Sequence, residues 1–468
     1  MRDRRAPARP PRVRRRGGGR WPRAAAEASL RPASSIASIH SVTLTVGRVA
    51  RGTDNRADEC RGSSRRQRRH NTAMSARSSV GVAIEEAGNG RGCVVVMRAA
   101  VGLLAGLGLL ATAKAAVVSS RVLTALGGRP DPESLRSSPQ YRDGTFHNAR
   151  PARWLPSGST RDALREMLVS PQPRKPAGPV PLVPPTPAPT EGLHVTWYGH
   201  ASSLVELDGT RVLLDPMWSD RASPAWFAGP RRLHPVPHRL ADLPPLDAIV
   251  ISHDHYDHLD LPTVRELVRL QSAPFVVPLG VGAHLRVWNV PEERIVELDW
   301  HETASLGALE ITATPAQHFS GRAFTRNTTL WASWVLTVDR PTRRRVFYSG
   351  DTGYCDAFAD IGRDHGPFDV TLVQIGAYAT GWPDIHMTPE EGVATHRDVR
   401  GGLLVPVHWG TFNLAPHGWA DPVERLLRAA EAHDVSVTVP RPGERIDVTA
   451  PQSPAQRQWW RELVANAE

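Results

Sequence analysis

The stretch DAIVISHDHYDHLD, residues 247–260, sets an apolar run directly against three histidines and three aspartates crowded into its last eight positions. DAIVIS reads as a buried strand, and His253 is the first residue past its end. Open α/β sheets bind ligands in the loops at their carboxyl edge, so the cluster falls where such a fold would put a site. The spacing His253-x-His255-x-Asp257-His258 offers imidazole and carboxylate, donors suited to Zn²⁺, with no thiolate to close a structural site. One catalytic zinc takes about three protein ligands plus water. This motif alone offers four, and the surplus predicts a pair of ions. His253 and His255 alternate across an extended loop toward one ion; Asp257 and His258, adjacent around the turn, face the other.

If two ions bind, further ligands should stand at equivalent strand ends, and they do. His318 follows LEITATPAQ (309–317), Asp351 follows RRVFYSG (344–350), and His408 sits within LLVPVHWG (403–410). Asp351 lies in SGDTG, where glycines let the backbone approach closely and leave a carboxylate projecting to bridge both metals. Asp254, inside the motif, reads as orienting the ligands or as a solvated residue rather than as a ligand itself. Tyr256, held between ligands, either turns its hydroxyl into the substrate cleft or packs against its own loop.

Around these residues the pattern is regular. HVTWYG and SSLVELDGTRVLLDP alternate apolar and polar residues across an Asp208-Gly209 turn, which predicts a β-hairpin. Further strand-like runs follow at PFVVPLG (274–280), RIVELD (294–299), LWASWVLTV (330–338) and VTLVQIG (370–376). Thr388, Pro389 and Glu391 predict a capping box opening one helix, and Asp421, Pro422 and Glu424 predict another; Pro262 starts a third. Strands interleaved with helices point to a layered α/β sandwich rather than a barrel.

The charge of the whole chain misleads. A net charge of +10 over 468 residues invites a nucleic-acid reading, yet residues 1–96 hold 21 Arg against 7 acidic residues. Residues 97–468 therefore carry 36 basic and 40 acidic groups, a mildly acidic body without the basic and aromatic groove that nucleic acid demands. Lys114 and Lys175 are the only lysines, which suggests codon bias rather than selection for phosphate contacts. The Arg-rich head, 1–96, reads as disordered or as an artefact of a start codon truly at Met97. Residues 97–120 carry an uncharged apolar run, Ala99–Ala113, short of the ~20 residues of a spanning helix. It suits a signal peptide or short anchor, predicting membrane association or export, with a cytoplasmic location as the alternative. Residues 121–190 read as an amino-terminal extension ending in a proline-rich connector or strap, PQPRKPAGPVPLVPPTPAPT. The hydrolase domain then spans 191–450 and a tail 451–468. Of three cysteines only Cys355 lies in the folded part, so no internal disulfide framework is available there.

In type and order, His253-x-His255-x-Asp257-His258, His318, Asp351 and His408 resemble the five-motif site of the metallo-β-lactamase superfamily. The flanking HVTWYGHASSLVELDGTRVLLDP, ELDW, TPAQHFSGR, SGDTGY, QIGAY and VPVHWGTF resemble its N-acylphosphatidylethanolamine-hydrolysing phospholipase D branch, as does SPQYRDGTFHN (138–148). The resemblance implies an αββα four-layer sandwich with a dinuclear site at the sheet edge and two Zn²⁺ per chain. It assigns His253, His255 and His318 to one zinc, Asp257, His258 and His408 to the other, and Asp351 to both. It further implies that His386, in GWPDIHMTPEE, faces substrate phosphate; where an amide residue is expected just before it, this chain has Ile385.

The expected chemistry is metal-assisted hydrolysis of a phosphodiester, with Asp351, His386 and Tyr256 as its working side chains. The expected substrate is a phospholipid met at a membrane surface. Trp218, Trp226 and Phe227, in PMWSDRASPAWFAGP, are read as a greasy lip beside the cleft, with Arg231, Arg232 and His234 near anionic headgroups. A soluble lactone or phosphodiester is the alternative. Pairing of two copies as a homodimer is also carried as an expectation.

Overall fold

The computed structural model describes residues 12–14, 120–153, 172–322, 325–339, 342–450 and 458–464. The expected membrane segment, apart from Ser120, lies outside these residues. So does the Arg-rich head, save Arg12–Arg14. No helix among the described residues is long and apolar enough to cross a membrane.

Two seven-stranded mixed sheets form the body. The first runs β1 (Arg12–Arg14), β10 (Thr303–Leu306), β11 (Leu309–Thr314), β12 (Ser333–Val338), β13 (Arg344–Tyr348), β14 (Phe368–Gln374) and β15 (Gly401–Val407). The second runs β16 (Arg445–Asp447), β4 (Leu193–Gly199), β5 (Ser202–Leu207), β6 (Thr210–Leu214), β7 (Ala248–Val250), β8 (Phe275–Pro278) and β9 (Ile295–Leu298). A small hairpin, β2 (Tyr141–Arg142) and β3 (Thr145–Phe146), stands apart. The β13-β14-β15 and β6-β7-β8-β9 ladders are parallel, and the other pairs in the two sheets are antiparallel.

Side-chain alternation along the second sheet makes the layers. Val195, Trp197, Val205, Val212, Leu214, Val250 and Val276 join the larger core shared with the first sheet. Their neighbours Tyr198, Leu204, Leu213, Ile249, Phe275 and Val277 turn the other way into a second core. Val264 and Leu267 of α3 (Leu261–Leu270) and Leu285 of α4 (Gly282–Val287) cover that outer face. Helices α5 (Ala357–His365), α6 (Pro389–Asp398) and α7 (Asp421–Ala432) cover the first sheet through Phe358, Val393 and Leu426. Two further helical turns, α1 (residues 120–126) and α2 (Pro132–Leu135), precede the sheets. The chain is thus an αββα sandwich, as the family resemblance implied; the strand and helix pattern alone pointed to a layered α/β sandwich.

The local signals were mostly sound. Asp208 and Gly209 hold φ of 47° and 84° between β5 and β6, the paired left-handed turn that matches strand twist. Thr388 and Glu391 form the reciprocal capping box of α6. The second expected cap fails: α7 has Ala420 at its N-cap with no side-chain bond. Its Asp421 carboxylate is taken by the Tyr378 hydroxyl, and Glu424 by Trp460 and Arg461.

The regions read as extension and tail pack onto the body. Arg445 donates to the carbonyls of Thr186 and Pro187, and the Val183 amide donates to Pro442, so the proline-rich stretch is a strap. Trp459 and Trp460 are buried against Trp409, the residue after His408. Trp460→Ala should therefore cost about 3–5 kcal/mol, visible as a lowered denaturation midpoint; an unchanged midpoint would take this indole out of the core.

Candidate metal centre

Each residue of the centre follows the carboxyl end of a strand. His253 comes three residues after β7, His318 four after β11, Asp351 three after β13, and His408 directly after β15. Strands β11, β13, β14 and β15 run in one direction, so their carboxyl ends share one edge. Glycine makes room there: Gly350 sits at φ 55°, and a Cβ on it would lie 2.7 Å from Cβ of Ser252. Any side chain at Gly353 would collide with the carbonyl of Asp384.

The structure brings these side chains together. His253 Nε2 lies 2.8 Å from His255 Nδ1, and His318 Nε2 lies 3.4 Å from the same atom. On the other side Asp257 Oδ2 stands 3.3 Å from His408 Nε2 and 3.4 Å from His258 Nε2. Asp351 Oδ2 lies between the two groups, 2.9 Å from His408, 3.1 Å from His258 and 4.0 Å from His253. His386 Nδ1 also approaches that oxygen, at 4.0 Å. Within each of four subsets, one ligand atom per residue lies within 4.8 Å of the others: His253/His255/His318, His253/His258/Asp351, His318/Asp351/His386 and His200/Asp257/His258/His408.

Two of the residues that set this geometry carried no assignment from sequence. Asp215, directly after β6, accepts from Ser252 N–H at 2.6 Å and Ser252 O–H at 2.5 Å, pairs with His258 Nδ1 at 2.6 Å, and also takes the Tyr348 hydroxyl. It thereby turns His258 Nε2 toward Asp351. His200, directly after β4, places Nε2 2.8 Å from Asp257 Oδ2 and its ring 4.0 Å from that of His408. The signal available was the recurring strand-end position, in LLDP and in WYGHASS. Asp254 touches no proposed ligand through its carboxylate: its oxygens accept from His284, Thr329 and the Gly321 amide, so it anchors the motif loop rather than orienting a ligand ring. The Ile385 carbonyl takes His318 Nδ1 at 2.8 Å, leaving Nε2 for the centre.

The electrostatics suit cations. Burial pushes His253 and His318 well below the ordinary histidine value, so both are neutral and keep a lone pair. Burial alone would raise the Asp351 carboxyl, but His258 and His408 outweigh it and hold it well below the usual range. Burial also lowers His386 to about 3. His386 Nδ1 and Asp351 Oδ1 are buried without hydrogen-bond partners, and His258 Nε2 and His408 Nε2 are buried facing only the Asp351 and Asp257 carboxylates. Unpaired buried polar atoms are costly, and divalent ions among them would satisfy all four. The donor set fits the pair of ions expected.

Three expectations need correction. Tyr256 lays its ring over the Arg322 guanidinium, 4.1 Å away, and lines a cavity of about 750 Å³ that no residue of the centre lines. Arg232 is buried, donating to the Met217 carbonyl and covering Phe412, and His234 is buried against Thr411, so neither faces a headgroup. Trp218 packs on Tyr198 and donates to the His238 carbonyl, whereas Trp226 and Phe227 are 67% and 55% exposed. Only that pair, with Arg231, faces solvent as expected.

An αββα sandwich that gathers imidazoles and carboxylates at the carboxyl ends of strands from both sheets defines a metal-dependent hydrolase of the metallo-β-lactamase type. Residues 210–409 match the model of the beta-lactamase superfamily domain. An uncharacterized protein of Mycobacterium tuberculosis is 51% identical over 382 residues, 78% of this chain and 100% of its own length. N-acyl-phosphatidylethanolamine-hydrolyzing phospholipase D 1 of Caenorhabditis elegans is 37% identical over 256 residues, 52% of this chain and 71% of its own. The mitochondrial N-acyl-phosphatidylethanolamine-hydrolyzing phospholipase D of Saccharomyces cerevisiae is 32% identical over 245 residues, 50% of this chain and 51% of its own. The solved structure of Igni18, a metallo hydrolase of Ignicoccus hospitalis, covers 54% of this chain and 97% of its own at 23% identity, with a TM-score of 0.42. The chain belongs to the metallo-β-lactamase superfamily, in its N-acylphosphatidylethanolamine-hydrolysing phospholipase D-like branch.

Asp215 offers a test of the centre that leaves every proposed ligand in place. Asp215→Asn should weaken metal binding about 10–100-fold, measured by competition with a chromophoric chelator. Affinity equal to that of the unaltered protein would show that His258 needs no such partner.

Proposed function

We propose that this chain is a dizinc phosphodiesterase of the phospholipase D type, cleaving the headgroup-side phosphodiester of N-acylphosphatidylethanolamine. The observation that carries the reading is Asp351 Oδ2, within 4.0 Å of histidines from both ligand sets. His253, His255 and His318 would hold one ion, Asp257, His258 and His408 the other, and Asp351 both. When bound, a zinc pair supplies Lewis-acid charge neutralisation and the acidification of water that yields a nucleophile at neutral pH.

The chain's own residues do the rest. Asp215, His200 and the Ile385 carbonyl fix the rings of His258, His408 and His318, so little reorganisation is needed as charge builds on the phosphoryl group. His386, kept neutral by burial and standing at the rim of the centre, is suited to meet a phosphate oxygen as a hydrogen-bond donor. Trp226 and Phe227 suit an interfacial lip, and the apolar run Ala99–Ala113 would hold the body at a membrane. A soluble phosphodiester is the second reading. It is favoured by a groove of about 640 Å³ beside His318, lined in part by Arg142 and Arg326.

An activity panel on the zinc-loaded protein separates the two. N-acylphosphatidylethanolamine vesicles should be turned over far faster than soluble phosphodiesters or lactones; the reverse order would end the lipid reading. Chelation should abolish turnover and added zinc restore it, while Asp351→Asn should lose metal and activity but keep the fold by circular dichroism. Replacing Trp226 and Phe227 together by serine should weaken sedimentation with anionic vesicles and spare turnover of a short-chain, monomeric substrate. Unaltered vesicle binding would remove the lip.

A further inference from the structure

We propose that residues 145–153, from the amino-terminal extension, are a positioning strap for the metal centre, with Asn148 as the residue that fixes His318. The inference rests on the metal-centre reading above. The Asn148 side chain takes both backbone groups of His318: Oδ1 accepts its N–H at 3.0 Å and Nδ2 donates to its carbonyl at 2.8 Å. The same Oδ1 accepts from the Trp331 indole at 3.0 Å, which holds the amide in one orientation. An amide side chain here replaces the strand neighbour that His318 lacks, since β11 has already ended at Thr314.

The rest of the segment grips the loops beside it. The Arg150 carbonyl accepts from Gln317 Nε2 at 2.9 Å, and the Arg150 guanidinium pairs with Asp356, five residues past Asp351. Arg153 holds Asp384, two residues before His386, through its backbone N–H at 2.7 Å and its guanidinium at 2.8 Å. These contacts reach the loops of His318, Asp351 and His386, which form one of the four clusters. Metal ligands must sit within about 0.2 Å of ideal distances, and these loop-borne side chains lie outside the β-ladders. Arg150 and Arg153 are 70% and 80% exposed, so their ion pairs contribute little. Asn148 carries the positioning.

Asn148→Ala and Asn148→Asp in the full chain test this, with Arg136→Ala, on an exposed pair with Glu133, as control. The aspartate keeps the acceptor for His318 N–H and Trp331 but sets an oxygen against the His318 carbonyl. Both variants should bind zinc about 10–100-fold more weakly. They should also shift the visible absorption of the Co²⁺-loaded protein and lower kcat with little change in KM; the control should match the unaltered protein. If the alanine variant gives no folded apoprotein, the aspartate variant decides. Unaltered zinc affinity and cobalt spectrum in the folded variants would overturn the strap. Failure of the unaltered protein itself to bind two ions would instead overturn the metal-centre reading.

Discussion

A single carboxylate oxygen, Asp351 Oδ2, is the constraint to which the rest of the molecule is fitted. Asp351 is 3% exposed, and a buried carboxylate is tolerated only when cations or strong donors surround it. Here the surroundings are imidazoles from different strands: His253 and His258 after β7 in one sheet, His408 after β15 in the other. Both sheets must therefore bring parallel strand ends to the same edge, and the sandwich does so by placing antiparallel and parallel halves in each sheet. Gly350, against Ser252, sets how closely the two edges can approach.

The cost of that convergence shows in the backbone. His200, Asp215, Ala377 and His408 adopt φ of 55°, 37°, 62° and 63°, a region unfavourable to residues bearing a Cβ. Each is pinned from elsewhere: His408 N–H donates to the His200 carbonyl at 2.8 Å, Asp215 N–H to Val250 at 2.9 Å, and Ala377 N–H to His417 at 2.9 Å. His200 N–H donates to Thr411 at 2.7 Å. Strain of this kind persists only where the surroundings over-determine it, and three of these four residues, His200, Asp215 and His408, belong to the centre or pair with its side chains.

What was legible in the sequence was what depended on neighbours along the chain. The spacing of His253 to His258 is local, and His318, Asp351 and His408 could be aligned because each follows a recognisable strand. The hairpin turn and the α6 cap were equally local. Asp215, His200 and Asn148 escaped because their meaning lies in residues 43, 57 and 170 positions away. The cap expected of Asp421 failed for the same reason: Tyr378, 43 positions upstream, captured its carboxylate. Arg232 and His234 looked like surface residues, and only the fold of the following loops shows Phe412 and Thr411 covering them.

Both flanks of the chain reach the same edge. Asn148, in residues 145–153, holds the backbone of His318 from one side. Trp459 and Trp460 pack on Trp409, which also stacks at 5.6 Å on Trp197 at the end of β4 and directly follows His408. The ligand loops are thus held between an amino-terminal strap and a carboxy-terminal indole cluster, neither of which lies in the 210–409 stretch that carries the family pattern. That stretch contains every proposed ligand, yet the hydrogen bonds and ring contacts that fix His318 and the neighbour of His408 come largely from outside it. The metal centre is therefore a property of the whole folded body rather than of its motif-bearing segment.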